Sequence, residues 1–151
     1  MTHADPYHRL PDPARQAGFY EGVAIKRFFA FLLDLLIILA LSLLPVFATL
    51  GLGAFIFPLI FLVVGFLYRL LTLAAGSATW GMRLMAIELR RIDAERFGMG
   101  DALLHTVAFY ISFGVIPLQL ISAVLMVSTA RGQGLTDMLF GTVALNRRGT
   151  A

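Results

Sequence analysis

Asp34 stands inside "KRFFAFLLDLLIILALSLL", a run that opens on Lys26 and Arg27 and is otherwise leucine, isoleucine and phenylalanine. A charge near the middle of a membrane span costs about 2.5–3.5 kcal/mol on insertion scales, so an aspartate kept there needs something to offset it. Two chemistries fit a carboxylate in that position. It can pair with a buried cation, or it can bind a proton or cation near a membrane face, and Asp137 in "RGQGLTDMLFGT" is the second carboxylate that such a site would use. Asp137 also suits a blander role, as a helix cap or in a salt bridge to Arg83, Arg90 or Arg131.

Candidate partners for Asp34 follow from spacing. Arg27 lies seven residues before it, on the same helical face and about 10.5 Å away along the axis. Side chains lean toward the helix N-terminus, which sends Arg27 away from Asp34 and toward the membrane surface, where it serves as an anchor. The position midway between 34 and 69 falls in the "GLG" turn at Gly51–Gly53, so Arg69 faces Asp34 across a hairpin at the same depth. The expectation is that Asp34 and Arg69 form a membrane-embedded ion pair, or share the site with Arg27 or Arg83. Arg69 snorkelling to the headgroups is the competing reading.

Other chemistry finds no constellation. No catalytic set is present: Ser42, Ser112 and Ser122 lack a nearby base. Gly76, Ser77, Gly81 and Arg83 lack the lysine-serine ending and the preceding strand of a phosphate loop. The histidines are too sparse for a metal site, and His105 reads as a surface or capped residue. The chain has no cysteine, which removes disulfides and thiolate chemistry. No cofactor is expected, and the reading is not an enzyme.

The elements that hold these residues are those of a membrane protein. The 151 residues are 59% hydrophobic and 14% charged, with mean hydropathy +0.84, against roughly 45–50% and 25% for soluble domains. The net charge of +3 comes without the basic–aromatic interleaving of a nucleic-acid surface. Its cations flank apolar runs instead, so the lipid bilayer is the partner expected and nucleic acid is not. About 25 polar residues precede the first apolar run, so that run is expected to stay rather than to be cleaved as a signal peptide.

We read residues 1–18 as a flexible cytosolic tail, 19–146 as one membrane domain and 147–151 as a C-terminal tail. Within the domain the hydrophobic segments are about 28–50, 54–73 and 103–128. The first two make a hairpin, with Pro58 early in the second helix where its missing N–H matters least. Arg83, Arg90, Arg91 and Arg96 place the connection before the third segment in the cytoplasm. In that connection "RLMAIELRRI" reads as a short strand or an interfacial strip, and "GTVALN" has the alternation to pair with "MAIEL" under the bundle. Asp101 reads as an N-cap to the third segment.

The third segment is too short for two crossings, which need roughly 40 residues. A single crossing would put Arg131, Arg147 and Arg148 outside, against the charge rule. A half-membrane hairpin bent at Gly114–Pro117 satisfies both, and a kinked single span is the alternative. The fold class is therefore an all-α membrane protein, a small transmembrane bundle whose third segment is broken or re-entrant.

"YEGVAIKRFFAFLLDLLI", "GSATWGMRLMAIEL" and "RGQGLTDMLFGTVAL" together resemble the RDD family of small membrane proteins, named for one arginine and two aspartates. The resemblance implies that Arg27, Asp34 and Asp137 are the family-defining charges. The sequence has Thr136 where the family usually has histidine before the second aspartate, and Trp80 and Met82 depart from the family's middle motif. The family implies a multi-pass protein of the cell inner membrane with a cytoplasmic N-terminus, of unknown molecular function and suspected of transporting an ion or small solute. A lone small bundle is a poor container for a solute path, so a homo-oligomer is expected. The alternative is a non-catalytic assembly or scaffold protein that binds another membrane protein.

Overall fold

The computed structural model describes residues 7–147. The expected tail positions 1–6 and 148–151, Arg148 among them, lie outside the described residues.

Helix α1, Val23–Ala48, begins after Gly22, whose φ of +67° is the left-handed conformation glycine adopts without a Cβ penalty. Its 26 residues span about 39 Å, enough to cross the hydrocarbon with some tilt. The helix ends on a double device: Leu50 and Gly51 take positive φ, and Thr49 Oγ1 accepts from the Gly53 N–H at 2.8 Å. A 3₁₀ turn, Leu52–Ile56, then leads into α2, Phe57–Gly76, with Pro58 in its first turn. The hairpin is thus present, with α1 starting five residues before Phe28 and α2 shifted by three toward the C-terminus.

After α2 the chain makes a short helix, α3 (Trp80–Leu84), capped by the Thr79 hydroxyl, which accepts from the Met82 N–H at 3.2 Å. Strand β1, Ile87–Arg91, pairs antiparallel with the last element, β2, Thr142–Asn146, with Leu89 opposite Ala144. This is the pairing that the alternation predicts. Ile87, Leu89 and Ala144 turn one face of the ribbon to the helices, where they pack with Leu73, Phe97 and Ala102. Val143 and Leu145 turn the other face toward Leu10. Residues 7–18, expected to be loose, are therefore folded onto the ribbon; the Tyr20 hydroxyl donates to the Pro11 carbonyl at 2.7 Å. The apolar face of β2 would otherwise be open to water, which is the physical reason the segment docks.

The third hydrophobic segment is two helices, α4 (Met99–Gly114) and α5 (Ile116–Ser128), bent by 115° at Val115. Pro117 sits in the first turn of α5, so the break removes no hydrogen bond that a helix start would have had. Asp101 is not the N-cap; it lies at the third helical position, and its carboxylate accepts from the Gly98 N–H at 3.0 Å. After α5, α6 (Leu135–Phe140) leads into β2. Contacts of α6 with both the start of α1 and the second turn of α4 place all three at one end of the molecule. The bent pair therefore returns toward the end from which it entered, and Arg131 shares that end with Arg27.

Burial is inverted relative to a water-soluble domain. Phe47 is 72% exposed and Leu44 62%, whereas Asp34, Ser42, Thr79, His105 and Asp137 are buried. α1 and α2 are long and apolar enough to cross a membrane. An apolar exterior around a polar interior is what a lipid solvent selects.

Candidate functional site

Asp34 and Asp137 are each built into a separate joint. Asp34 faces α2 and α3 from the second turn after Arg27. Its Oδ1 accepts from the Tyr68 hydroxyl at 2.6 Å and from the Gly81 N–H at 2.8 Å. Its Oδ2 accepts from the Thr79 hydroxyl at 2.6 Å. Three donors, two of them from the α2–α3 turn and α3, clamp the short helix onto α1. Gly81 is what lets the backbones approach: a Cβ there would overlap the Ala30 carbonyl oxygen and stand 2.7 Å from Asp34 Oδ1.

Asp137 is 0% exposed and ties four elements together. Arg27 of α1 makes an ion pair with its Oδ2, which also accepts from the Gly134 N–H at 3.0 Å, closing the first turn of α6. Its Oδ1 meets His105 Nε2 of α4 at 3.1 Å and accepts from the Thr142 hydroxyl of β2 at 3.1 Å. An ionised carboxylate offers about four acceptor sites, and all four are taken. Burial pushes the Asp137 carboxyl up, but the Arg27 guanidinium and the His105 ring outweigh it and hold the group well below the usual carboxylate range. With Asp137 ionised, Nε2 is the donating nitrogen of His105, and Nδ1 is left buried without a partner.

The geometry regroups the charges that spacing alone had assigned. Arg27 is not an anchor in the headgroups; it reaches Asp137 and, at 3.4 Å, the Gly132 carbonyl. Arg69 lies at the depth of Asp34, as the hairpin predicts, yet makes no ion pair with it: the Asp34 oxygens are occupied by Tyr68, Thr79 and Gly81. Arg69 instead lays its guanidinium over the Phe109 ring at 3.9 Å and leaves Nε buried without a hydrogen bond. Arg83 does not reach Asp34 either. It donates to the Ala78 carbonyl at 3.2 Å and the Thr72 carbonyl at 3.4 Å, at the C-terminal end of α2 where a cation suits the helix dipole. Asp34 and Asp137 share no donor, so nothing in their contacts joins them into one carboxylate pair.

Tyr68, Thr79, Gly81, His105 and Thr142 were not legible as site residues. Tyr68 had a signal, because the point midway between it and Asp34 also falls in the turn. His105 supplies from α4 the histidine contact to the second aspartate that Thr136 does not. Tyr68→Phe is expected to lower stability by about 1–3 kcal/mol, the range for leaving a buried hydrogen-bond partner unsatisfied, as read by thermal unfolding of the chain in detergent. An unchanged midpoint would mean that the Tyr68–Asp34 bond holds nothing.

A cavity of about 520 Å³ opens between α1 and the α4–α5 pair, with Arg27, Asp34, Arg69 and His105 in its floor and Phe28, Phe31, Phe113 and Val127 in its walls. A second cavity of about 80 Å³ is also lined by Asp34 and Arg69, together with Tyr68 and Tyr110. The two charges thus border both spaces.

No curated protein and no solved structure shows significant similarity to the chain. The RDD family model matches residues 22–141, a stretch that contains Arg27, Asp34 and Asp137 and runs from the turn before α1 to the start of β2. With that match over most of its length, and with its two long apolar helices, the chain belongs to the RDD family of integral membrane proteins.

Proposed function

We propose that the protein is a non-catalytic carrier that moves an ion or small solute across the cell inner membrane, working as a homo-oligomer with its N-terminus in the cytoplasm. The observation that carries this reading is the 520 Å³ cavity whose apolar walls end on buried charged residues, Asp34 and Arg69 among them. That volume falls within the roughly 300–1,000 Å³ of small-molecule sites. Arg27, Asp34 and His105 of that floor also hold elements together, whereas the Arg69 Nε is used by no such contact. The orientation rests on the cations: Arg27, Arg83, Arg90, Arg91 and Arg131 belong to the end that carries the ribbon and the α5–α6 turn. The oligomer rests on the wall count, since two long helices and a bent pair leave the cavity open on one side.

The test is solute-driven proton flux in proteoliposomes with an entrapped pH dye, under gradients of several cations and organic anions. The native chain is expected to exceed empty liposomes several-fold, and Ala123→Trp, which fills the cavity from α5, is expected to fall to the background at equal incorporation. The assembly reading has its own support, because both aspartates are engaged in holding elements together. Absence of flux under every gradient would favour that reading, with the exposed charged loops beside the ribbon as the surface for another membrane protein.

A further inference from the structure

Arg69 is 8% exposed, its Nε is buried without a hydrogen-bond partner among the described residues, and Phe109, over which its guanidinium lies, presents a ring face rather than an acceptor. A guanidinium carries five N–H donors and no acceptor, and leaving donors unfilled in a low-dielectric site is costly. Neither neighbouring carboxylate accepts from the buried Nε. Asp137 already accepts four bonds, and Asp34 accepts three from donors on α2 and α3.

Arg69 lines the 520 Å³ cavity, and Phe28, Phe113 and Val127 of the same lining are 58%, 50% and 81% exposed. The exposed part of the lining is thus apolar and is supplied by α1, α4 and α5, a surface that suits an apolar chain. Arg69 also lies seven residues before the end of α2, about 10 Å inside the span. A ligand that reaches it must carry a small acidic group on an apolar body.

We propose that this cavity binds a single-chain anionic amphiphile taken from the bilayer, with its carboxylate or monophosphate on the Arg69 guanidinium and its chain along Phe28, Phe31 and Val127. The planar fork of arginine matches two oxygens of such a head group, and phenylalanine walls match the chain. The inference rests on the carrier reading only in using the same cavity, and it concerns binding rather than movement.

The experiment is equilibrium binding of radiolabelled laurate to the full chain in a neutral maltoside detergent. Binding is expected to saturate at about one laurate per chain. Dodecyl phosphate should displace it and dodecyltrimethylammonium should not. Arg69→Gln is expected to weaken laurate about ten-fold or more, and Arg69→Lys to recover part of that, since the charge returns without the fork. Ala123→Trp keeps Arg69 and fills the apolar part of the cavity, so it should also abolish saturable binding. Unchanged binding in Arg69→Gln, or in Ala123→Trp should Arg69→Gln not fold, would overturn the proposal, as would equal displacement by the cationic amphiphile. Saturable laurate binding without flux in proteoliposomes would leave this inference standing and remove the carrier reading; flux without laurate binding would do the reverse.

Discussion

Replacing Asp137 by asparagine is expected to cost about 3–5 kcal/mol, the loss seen when one member of a buried pair is removed and the other charge is stranded. The stranded charge is Arg27, whose side chain is 10% exposed. His105 loses the anion its Nε2 meets at 3.1 Å. Because Asp137 is the point where α1, α4, α6 and β2 meet, the damage should reach beyond α6 to the ribbon. The check is the folded fraction on size exclusion in detergent, with unfolding midpoints where the variant survives. Arg27→Gln should be similarly damaging, and the double variant should be more stable than the sum of the two losses predicts, since it removes both charges together. Losses that simply add would mean that Arg27 and Asp137 do not act as a pair. The pH dependence follows from the depressed Asp137 carboxyl. Its contribution is full at pH values above the ordinary carboxylate range, and it is lost only as the pH falls below that range toward the folded-state value.

Gly81→Ala is expected to be strongly damaging. The added Cβ would overlap the Ala30 carbonyl oxygen, stand 2.7 Å from Asp34 Oδ1 and 2.9 Å from Asp34 Cγ. None of these atoms is the free end of a flexible side chain, so α3 must move off α1. That movement breaks the Gly81 N–H bond to Asp34 and loosens the Thr79 bond beside it. Overpacking by itself costs about 1–3 kcal/mol, and each buried hydrogen bond lost adds about 1–3 kcal/mol. Gly100→Ala is the matched control. A Cβ at Gly100 meets nothing within 4 Å, and the residue lies inside α4. Alanine there should be neutral or stabilising by about 0.5–1 kcal/mol through lower backbone entropy in the unfolded chain. Equal behaviour of the two variants in thermal unfolding would show that the α1–α3 approach is not tight.

The inverted burial explains which features a reading along the chain can find. Apolar length and flanking cations are properties of contiguous segments, so the hairpin and the break at Gly114–Pro117 are written locally. Alternation in "MAIEL" and "GTVALN" is also local, and the ribbon was legible although its strands lie more than fifty residues apart. The N-terminal segment was not. Leu10 is one apolar residue among prolines and charges, and its burial depends on an apolar strand face formed at the other end of the chain.

The site shows the same division more sharply. The sequence by itself determined that Asp34 needs a partner, because a carboxylate in an apolar run cannot stay unsatisfied. It also determined the depth at which the partner of Asp34 lies, through the symmetry of a hairpin. Only the tertiary structure decided who that partner is. Tyr68 and Arg69 are neighbours at nearly the same depth, but successive residues on a helix point about 100° apart. The rotation of α2 gives Asp34 to the tyrosine and turns the arginine to Phe109 and the cavity. Asp137 gathers Arg27 and His105 from 110 and 32 residues away. Those pairings depend on how α4 bends back and where α6 docks, and no periodicity within one segment encodes the position of another.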